Sequence, residues 1–242
     1  MTSELVIPAR FNGPTRSGNG GYVCGSLAER VRQRAGDAVQ VSLRRPPPLD
    51  TVMTVDGGLL TLDGDVVAEA EVVDASLEPV DEVPPDVAAA AMLGYPGATG
   101  HPFPTCFACG PDRDEGDGLR IFPGPVGEDR GVVASVWVPH ESLAAGETVD
   151  GLPRCDLAVT WAALDCVGGW SEDLAGRPCV LGRMTARVDA RPVVQEPHVV
   201  VGRHLGRDGR KSFTASTLYD ADGRVVACAR HTWIQVDPAM FN

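Results

Sequence analysis

The sequence of 242 residues is poor in lysine, in aromatic side chains and in long apolar runs. Lysine occurs once, at Lys211, and aromatic residues make up 5% of the chain. With a formal net charge of -12, nucleic acid and anionic membrane surfaces are excluded as default partners, because both need a basic surface. No apolar run is long enough to cross a bilayer, so no membrane span is expected. A basic stretch followed by an apolar core is missing at the start, so no signal peptide is expected.

The seven cysteines are an odd number for a disulfide framework, and most lie in apolar or helical contexts. This pattern favours reduced thiols and a cytoplasmic protein. Cys106 and Cys109 have the spacing of half a zinc site, with His101 nearby, but a second pair at ligand spacing is missing. No metal is therefore expected. A redox role for the pair is disfavoured as well, because no strand-then-helix pattern brackets it.

Residues 155–170 are apolar on almost all sides, which is typical of a buried helix. Pro153 and Asp156 are predicted to mark its start, and Gly168 and Gly169 its end. Asp165 lies near the far end of this helix. Because an ionised carboxylate is costly to bury alone, Asp165 must be paired, neutral or in a wet pocket. The segment is equally consistent with a structural and a functional aspartate.

A glycine-rich loop over residues 13–21 precedes a second predicted helix, from 22 to about 34. The loop lacks the lysine and the spacing of dinucleotide and Walker-type loops, so no cofactor is expected. It is either a flexible connector or a place where the backbone approaches a ligand. In the second case, the free N–H groups of a helix start could receive a carbonyl oxygen or an oxyanion.

Most of the remaining chain has the alternation and turn dipeptides of β-strands. The predicted strands are 5–12, 39–45, 51–55, 59–62, 66–73, 119–122, 132–138, 180–188, 197–203, 212–219 and 224–236. Residues 77–104 are acidic and rich in proline and alanine, and they are predicted to form a linker with a short helix over 87–93.

The two halves of the chain resemble each other. Residues 59–70 align with 216–229, and residues 43–47 align with 189–193. In each half, a strand and a long helix precede about four antiparallel strands. A sheet wrapped around the helix would bury it on most sides, which accounts for its apolarity. The predicted class is α+β, with two tandem units that each wrap a curved antiparallel sheet around a long buried helix.

This arrangement resembles the double hotdog fold, and several segments resemble the acyl-CoA thioesterase II branch of the thioesterase superfamily. Residues 19–25 resemble the Gly-Gly helix start of that family, and residues 41–46 resemble its Leu-Arg-Pro strand. Residues 157–165 resemble the helix that carries the catalytic aspartate, which places Asp165 in that role. Residues 225–231 resemble the strand that carries the catalytic glutamine, and His231 takes the glutamine position.

The resemblance implies an N-terminal hotdog unit over 1–76, a linker over 77–104 and a C-terminal hotdog unit over 105–242. It also implies hydrolysis of an acyl-CoA or a related acyl thioester. Asp165 would activate water as a general base, and His231 would orient that water or share its proton. Backbone N–H groups around Gly20, Gly21 and Tyr22 would hold the thioester carbonyl oxygen.

Further substrate contacts are expected from polar side chains near these segments. Asn19 would be a side-chain donor, and Thr185 lies near the position of the family's threonine, as does Gly182. Arg44, Arg45 and Arg191 would meet the phosphates of CoA. A homodimer of double hotdog chains is compatible with this reading.

Two other functions remain open at this point. The first is a non-catalytic protein that binds acyl-CoA or an acyl chain. The second, less favoured, is an enoyl-thioester hydratase or dehydratase. Such enzymes resemble this chain in fold but usually place an aspartate and a histidine close together at the helix, and the helix here carries no histidine.

Overall fold

The computed structural model describes residues 2–31, 34 and 36–240. Within these residues the chain forms three α-helices and thirteen β-strands. The helices are α1 (Gly20–Ala28), α2 (Pro85–Met92) and α3 (Leu157–Trp170). The strands are β1 (Ser3–Leu5), β2 (Ala38–Leu43), β3 (Met53–Asp56), β4 (Leu59–Leu62), β5 (Asp65–Val73), β6 (Gly124–Val126), β7 (Asp129–Trp137), β8 (Ala144–Val149), β9 (Leu152–Cys155), β10 (Cys179–Val188), β11 (His198–Asp208), β12 (Lys211–Tyr219) and β13 (Val225–Gln235).

Eleven of the described strands form one sheet, in the order β1-β3-β4-β5-β2-β10-β13-β12-β11-β7-β6. Every neighbouring pair in this sheet is antiparallel. Strands β8 and β9 form a separate hairpin. The two halves of the chain join where β2 pairs with β10, with Val41 opposite Met184. The sheet therefore continues from one half of the sequence into the other.

Helices α1 and α3 pack against each other in antiparallel directions, and both lie against the sheet. Gly21 lies opposite Asp165, and Gly25 lies opposite Ala158. A Cβ atom at Gly21 would come within 2.5 Å of the Asp165 Cβ, and one at Gly25 within 2.7 Å of the Ala158 Cα. The close approach of the two helices therefore requires glycine at both positions. Thirteen of the 14 residues of α3 are buried, which confirms the predicted buried helix.

The acidic, proline-rich stretch before residue 104 covers the other face of the sheet in the second half of the chain. Val80, Val83 and Ala88 pack in one buried cluster with residues of β7, β11 and β12. The backbone N–H of Val80 donates to Thr217 Oγ1 at 2.8 Å. Helix α2 lies over β6 and β7, so the predicted short helix is confirmed.

Most predicted strands are confirmed, but two are wrong. Residues 5–12 form only the end of β1 and then a short 3-10 helix, Ala9–Phe11. Pro8 lies between them and has no N–H to donate to a sheet. Residues 119–122 form no strand: Leu119 N–H donates to the Phe107 carbonyl and Ile121 N–H to the Ala108 carbonyl. The apolar pattern there reflects burial against a loop instead of a sheet.

Both long helices differ from their predicted ends. Helix α1 ends at Ala28, six residues before the predicted end near residue 34, because the exposed Glu29 and Arg30 have no apolar surface to cover. Residues 32 and 33 of that prediction lie outside the described residues. Helix α3 runs through Gly168 and Gly169 instead of stopping there, since both glycines pack closely against buried side chains. None of the described helices is both long and apolar enough to cross a membrane.

Candidate active site

A cavity of about 250 Å³ lies where the start of α1, the far end of α3, the 101–109 loop and strand β10 meet. Its wall is mostly apolar. Its polar and sulfur-bearing side chains include Asn19, Arg44, Arg45, His101, Cys106, Cys109, Asp165 and Cys166. Asp165 is the only carboxylate among the described residues that line this cavity.

The two oxygens of the Asp165 carboxylate have different surroundings. Oδ2 accepts hydrogen bonds from the Gly21 backbone N–H at 2.8 Å and from Asn19 Nδ2 at 3.1 Å. Oδ1 is buried and has no hydrogen-bond partner in the described part of the chain. Burial raises the pKa of Asp165 to about 7, while the Gly21 N–H opposes this shift by stabilising the charged form.

The start of α1 positions these donors. Asn19 is the N-cap of α1, and its Oδ1 accepts the Tyr22 N–H at 2.9 Å. This bond fixes the side-chain amide so that Nδ2 points to Asp165. The sequence predicts Asn19 as a donor to the substrate, whereas in the structure its amide donates to the carboxylate of Asp165 on α3.

The predicted oxyanion hole at Gly21 and Tyr22 needs a correction. Both N–H groups already donate, the first to Asp165 and the second to Asn19. A thioester carbonyl could bind them only by displacing these bonds. Among the described residues no hydrogen bond is formed by the N–H of Gly20, which also lines the cavity.

Next to Asp165, three cysteine side chains meet at one wall of the cavity. The sulfur atoms of Cys106, Cys109 and Cys166 all lie within 4.8 Å of one another. Asn19 Nδ2 lies 3.7 Å from Cys106 Sγ and 3.8 Å from Cys166 Sγ. Hydrogen bonds from Cys109 and Cys166 lower the pKa of Cys106. The pKa of Cys166 is raised, because its thiol donates to Cys106. Sequence reasoning missed Cys166, although its place beside Asp165 on an apolar helix was a signal.

Three solved structures have a similar fold over nearly the whole chain. They are the TesB protein of Mycobacterium avium subspecies paratuberculosis (12% identity, TM-score 0.58, covering 98% of this chain and 93% of that one), the acyl-CoA thioesterase II TesB2 of Mycobacterium marinum (12%, 0.59, 99% and 94%), and a conserved protein of unknown function with a hotdog fold from Alicyclobacillus acidocaldarius (14%, 0.56, 98% and 94%). No protein-family model matches the sequence, and no curated protein matches it significantly. The chain has a hotdog fold. The hotdog fold expected from the sequence is thereby confirmed.

Within this hotdog fold, His231 forms no hydrogen bond or ion pair with Asp165 among the described residues. It lies on β13, where its Nδ1 is 3.2 Å from Thr214 Oγ1. A Cβ atom at Gly168 would come within 2.7 Å of the ring, so His231 packs against the side of α3. It is not among the described residues that line the cavity. Burial lowers the pKa of His231 to about 3, which keeps the imidazole neutral.

Two of the three predicted arginines lie at the cavity of the hotdog fold. Arg44 and Arg45 line it and are half exposed, and each pairs with a carboxylate, Glu69 and Asp65 respectively. Arg191 lies elsewhere, with Nη2 3.9 Å from Glu29 Oε1.

Two further predicted residues lie outside the cavity lining. Thr185 is buried on β10 with Oγ1 3.5 Å from Gln40 Oε1. Gly182, three residues earlier on the same strand, does line the cavity. The Tyr22 ring stacks on Phe11, with ring centroids 3.8 Å apart.

Proposed function

We propose that this protein hydrolyses an acyl thioester, with acyl-CoA as the substrate class, through activation of water by Asp165. The observation that supports this most is the asymmetric carboxylate in the cavity wall. One oxygen is held by Gly21 and Asn19, and the other is buried without a partner in the described chain. A fixed carboxylate with one free oxygen beside a cavity is suited to accept a proton from water.

The rest of the proposed site follows from the cavity wall. Leu174, Leu181 and Trp233 supply apolar surface for an acyl chain. The N–H of Gly20 takes the place of Gly21 and Tyr22 as the proposed donor to the carbonyl oxygen, because it is the first N–H of α1 and makes no bond within the described residues.

The double hotdog organisation is part of the same proposal. We infer two tandem units over 1–76 and 105–242, joined by residues 77–104. The β4–β5 hairpin in the first half and the β12–β13 hairpin in the second carry the aligned sequences of the internal repeat. The pairing of β2 with β10 brings equivalent strands of the two units together at the centre of the sheet.

The cysteines bear on where the protein works. All seven are free and buried. Free thiols are the usual state in a reducing compartment. We therefore retain the cytoplasm as the proposed location.

Thiol release from a panel of acyl-CoA substrates, from acetyl to palmitoyl, tests the proposed substrate class. We expect turnover, and a higher KM for acyl-CoA in the double variant Arg44→Ala and Arg45→Ala, because these guanidinium groups lie at the cavity edge where CoA phosphates would bind. The same variant should keep the KM for acyl-pantetheine, which lacks the nucleotide phosphates. Arg187→Ala is the matched control, since Arg187 also pairs with an aspartate, Asp189, but does not line the cavity.

A non-catalytic acyl-CoA binding protein is the second candidate. The occupied N–H groups of Gly21 and Tyr22 favour it, because they leave fewer donors for a developing oxyanion. This candidate predicts that acyl-CoA raises the melting temperature without any thiol release. That result would contradict the proposed hydrolysis.

A further inference from the structure

The sulfur cluster beside Asp165 has the dimensions of a metal site. Cys106 Sγ and Cys166 Sγ are 3.6 Å apart, and all three sulfurs lie within 4.8 Å of one another. In a tetrahedral zinc site with Zn–S bonds of about 2.3 Å, neighbouring sulfurs are about 3.8 Å apart. One ion could therefore reach the three sulfurs with only small side-chain movements.

The loop that carries two of these cysteines is shaped for ligation. The Gly110 N–H donates to the Cys106 carbonyl at 2.8 Å, which closes a tight turn around the Cys106–Cys109 pair. A Cβ atom at Gly110 would come within 2.5 Å of the Cys106 backbone, so this turn needs glycine. Two cysteines separated by two residues on such a turn are the usual half of a structural zinc site. The sequence has no second pair at ligand spacing, but the fold brings a third cysteine, Cys166 of α3, next to the first pair.

His101 is the nearest further ligand, and its ring must turn toward the cluster to complete the set, because it does not yet lie within 4.8 Å of all three sulfurs. Its Nε2 lies 3.3 Å from Cys109 Sγ, close to the about 3.5 Å expected between nitrogen and sulfur ligands of one tetrahedral zinc ion. The ring packs edge-on against Trp170, with centroids 5.1 Å apart. Its Nδ1 accepts the Phe103 N–H at 2.9 Å. Ligation through Nε2 moves the ring proton to Nδ1 and gives up that one hydrogen bond.

A polar neighbour supports the sulfurs from outside the cluster. Asn19 Nδ2 lies within 3.8 Å of both Cys106 Sγ and Cys166 Sγ, and it also donates to Asp165. Donors to ligand atoms are the usual outer partners of metal sites. All three cysteines are buried, so three thiolates there would need a cation to balance their charge.

We infer that Cys106, Cys109 and Cys166 bind one Zn²⁺ ion as thiolates, with Nε2 of His101 as the fourth ligand. Binding releases the three thiol protons to solvent and leaves the metal without a change of oxidation state. The ion joins the 101–110 loop to α3 and so fixes one wall of the cavity. This inference concerns metal binding alone and does not depend on thioester hydrolysis.

Metal content of the full-length, untagged chain tests the inference. We expect one zinc per chain after purification under reducing conditions, and Co²⁺ in place of Zn²⁺ should give thiolate-to-cobalt charge transfer and the bands of tetrahedral cobalt. Cys106→Ser, Cys109→Ser and Cys166→Ser should each lose zinc. Cys179→Ser is the matched control and should keep it, because Cys179 lines the same cavity but lies outside the cluster. A chain with far less than one zinc and no cobalt bands would overturn the inference.

A measurement on the wild-type chain keeps the test independent of how well the variants fold. In the wild-type chain, a chelator should open Cys106, Cys109 and Cys166 to alkylation, as read by mass spectrometry. Alkylation of these three cysteines that is unaffected by the chelator would overturn the site. His101→Ala should weaken zinc binding by at least about 10-fold and shift the cobalt bands. Unchanged bands would overturn the place of His101 as fourth ligand.

Discussion

At the scale of single residues, the chemistry open to the site depends on which hydrogen-bonding groups already have a partner within the protein. Asp165, Asn19 and Gly20 line one cavity, as the sequence predicts for a site built from both halves. Their roles could not be read from the sequence. The sequence predicts that the Gly21 N–H binds a substrate oxygen, whereas in the structure it donates to the carboxylate of Asp165. Only the packing of α1 on α3 determines that partner.

His231 shows the limit of motif reading at this scale. Its segment aligns with a catalytic strand, but its ring faces Thr214 and the glycine-rich side of α3. A side chain's position along a strand is visible in the sequence, whereas the neighbour that the facing helix offers is not.

The buried neutral state of His231 predicts a loss of stability in acid. Its pKa of about 3 in the folded chain lies below the value of about 6.5 expected when unfolded. Between these values the unfolded chain binds one more proton, so this residue lowers the free energy of unfolding as the pH falls from about 6.5 toward 3. We expect His231→Gln to flatten this dependence by up to about 1.4 kcal/mol per pH unit.

Urea unfolding of both chains at several pH values measures this slope. Identical slopes in the wild type and in His231→Gln would show that the histidine is already charged, or exposed, in the folded protein.

At the scale of elements, the strands were easier to predict than the ends of the helices. Alternating side chains and turn dipeptides identify the β4–β5 and β12–β13 hairpins correctly. Residues 119–122 have the same apolar pattern but pack against a loop, and only the tertiary structure separates the two cases. Helix α3 passes through two glycines because buried side chains close around them, which local propensity does not register.

The contact between α1 and α3 makes a prediction about stability. A methyl group at Gly25 would come within 2.7 Å of Ala158 Cα and 2.9 Å of Trp161 Cβ, and neither neighbour can move without separating the helices. We expect Gly25→Ala to lower the free energy of unfolding by about 2 kcal/mol. Gly146→Ala, where nothing lies within 4 Å of the added methyl, is the control and should have little effect. Equal unfolding free energies for the two variants would contradict the tight helix contact.

At the scale of the whole molecule, the cavity exists because the two halves share one sheet. Asn19 and Gly20 come from the first half, and Asp165 and Leu181 from the second. The internal repeat and the apolar helix predict two units of a sheet wrapped around a helix, and the resemblance to a known family adds the hotdog fold. The β2–β10 junction and the meeting of the 101–109 loop with α3 could not be predicted, because they depend on contacts between residues far apart in the chain.

Hydrolysis of acyl-CoA by Asp165→Asn, measured in single turnover beside the wild type, is the most direct test of the proposed role of Asp165. The amide keeps an oxygen for Gly21 and Asn19 but cannot accept a proton from water, so we expect a rate loss of at least about 100-fold with an unchanged near-ultraviolet circular dichroism spectrum. Asp156→Asn is the matched control, because Asp156 caps α3 through Val159 at 2.7 Å and lies outside the cavity. A folded Asp165→Asn protein that hydrolyses acyl-CoA at the wild-type rate would contradict the account.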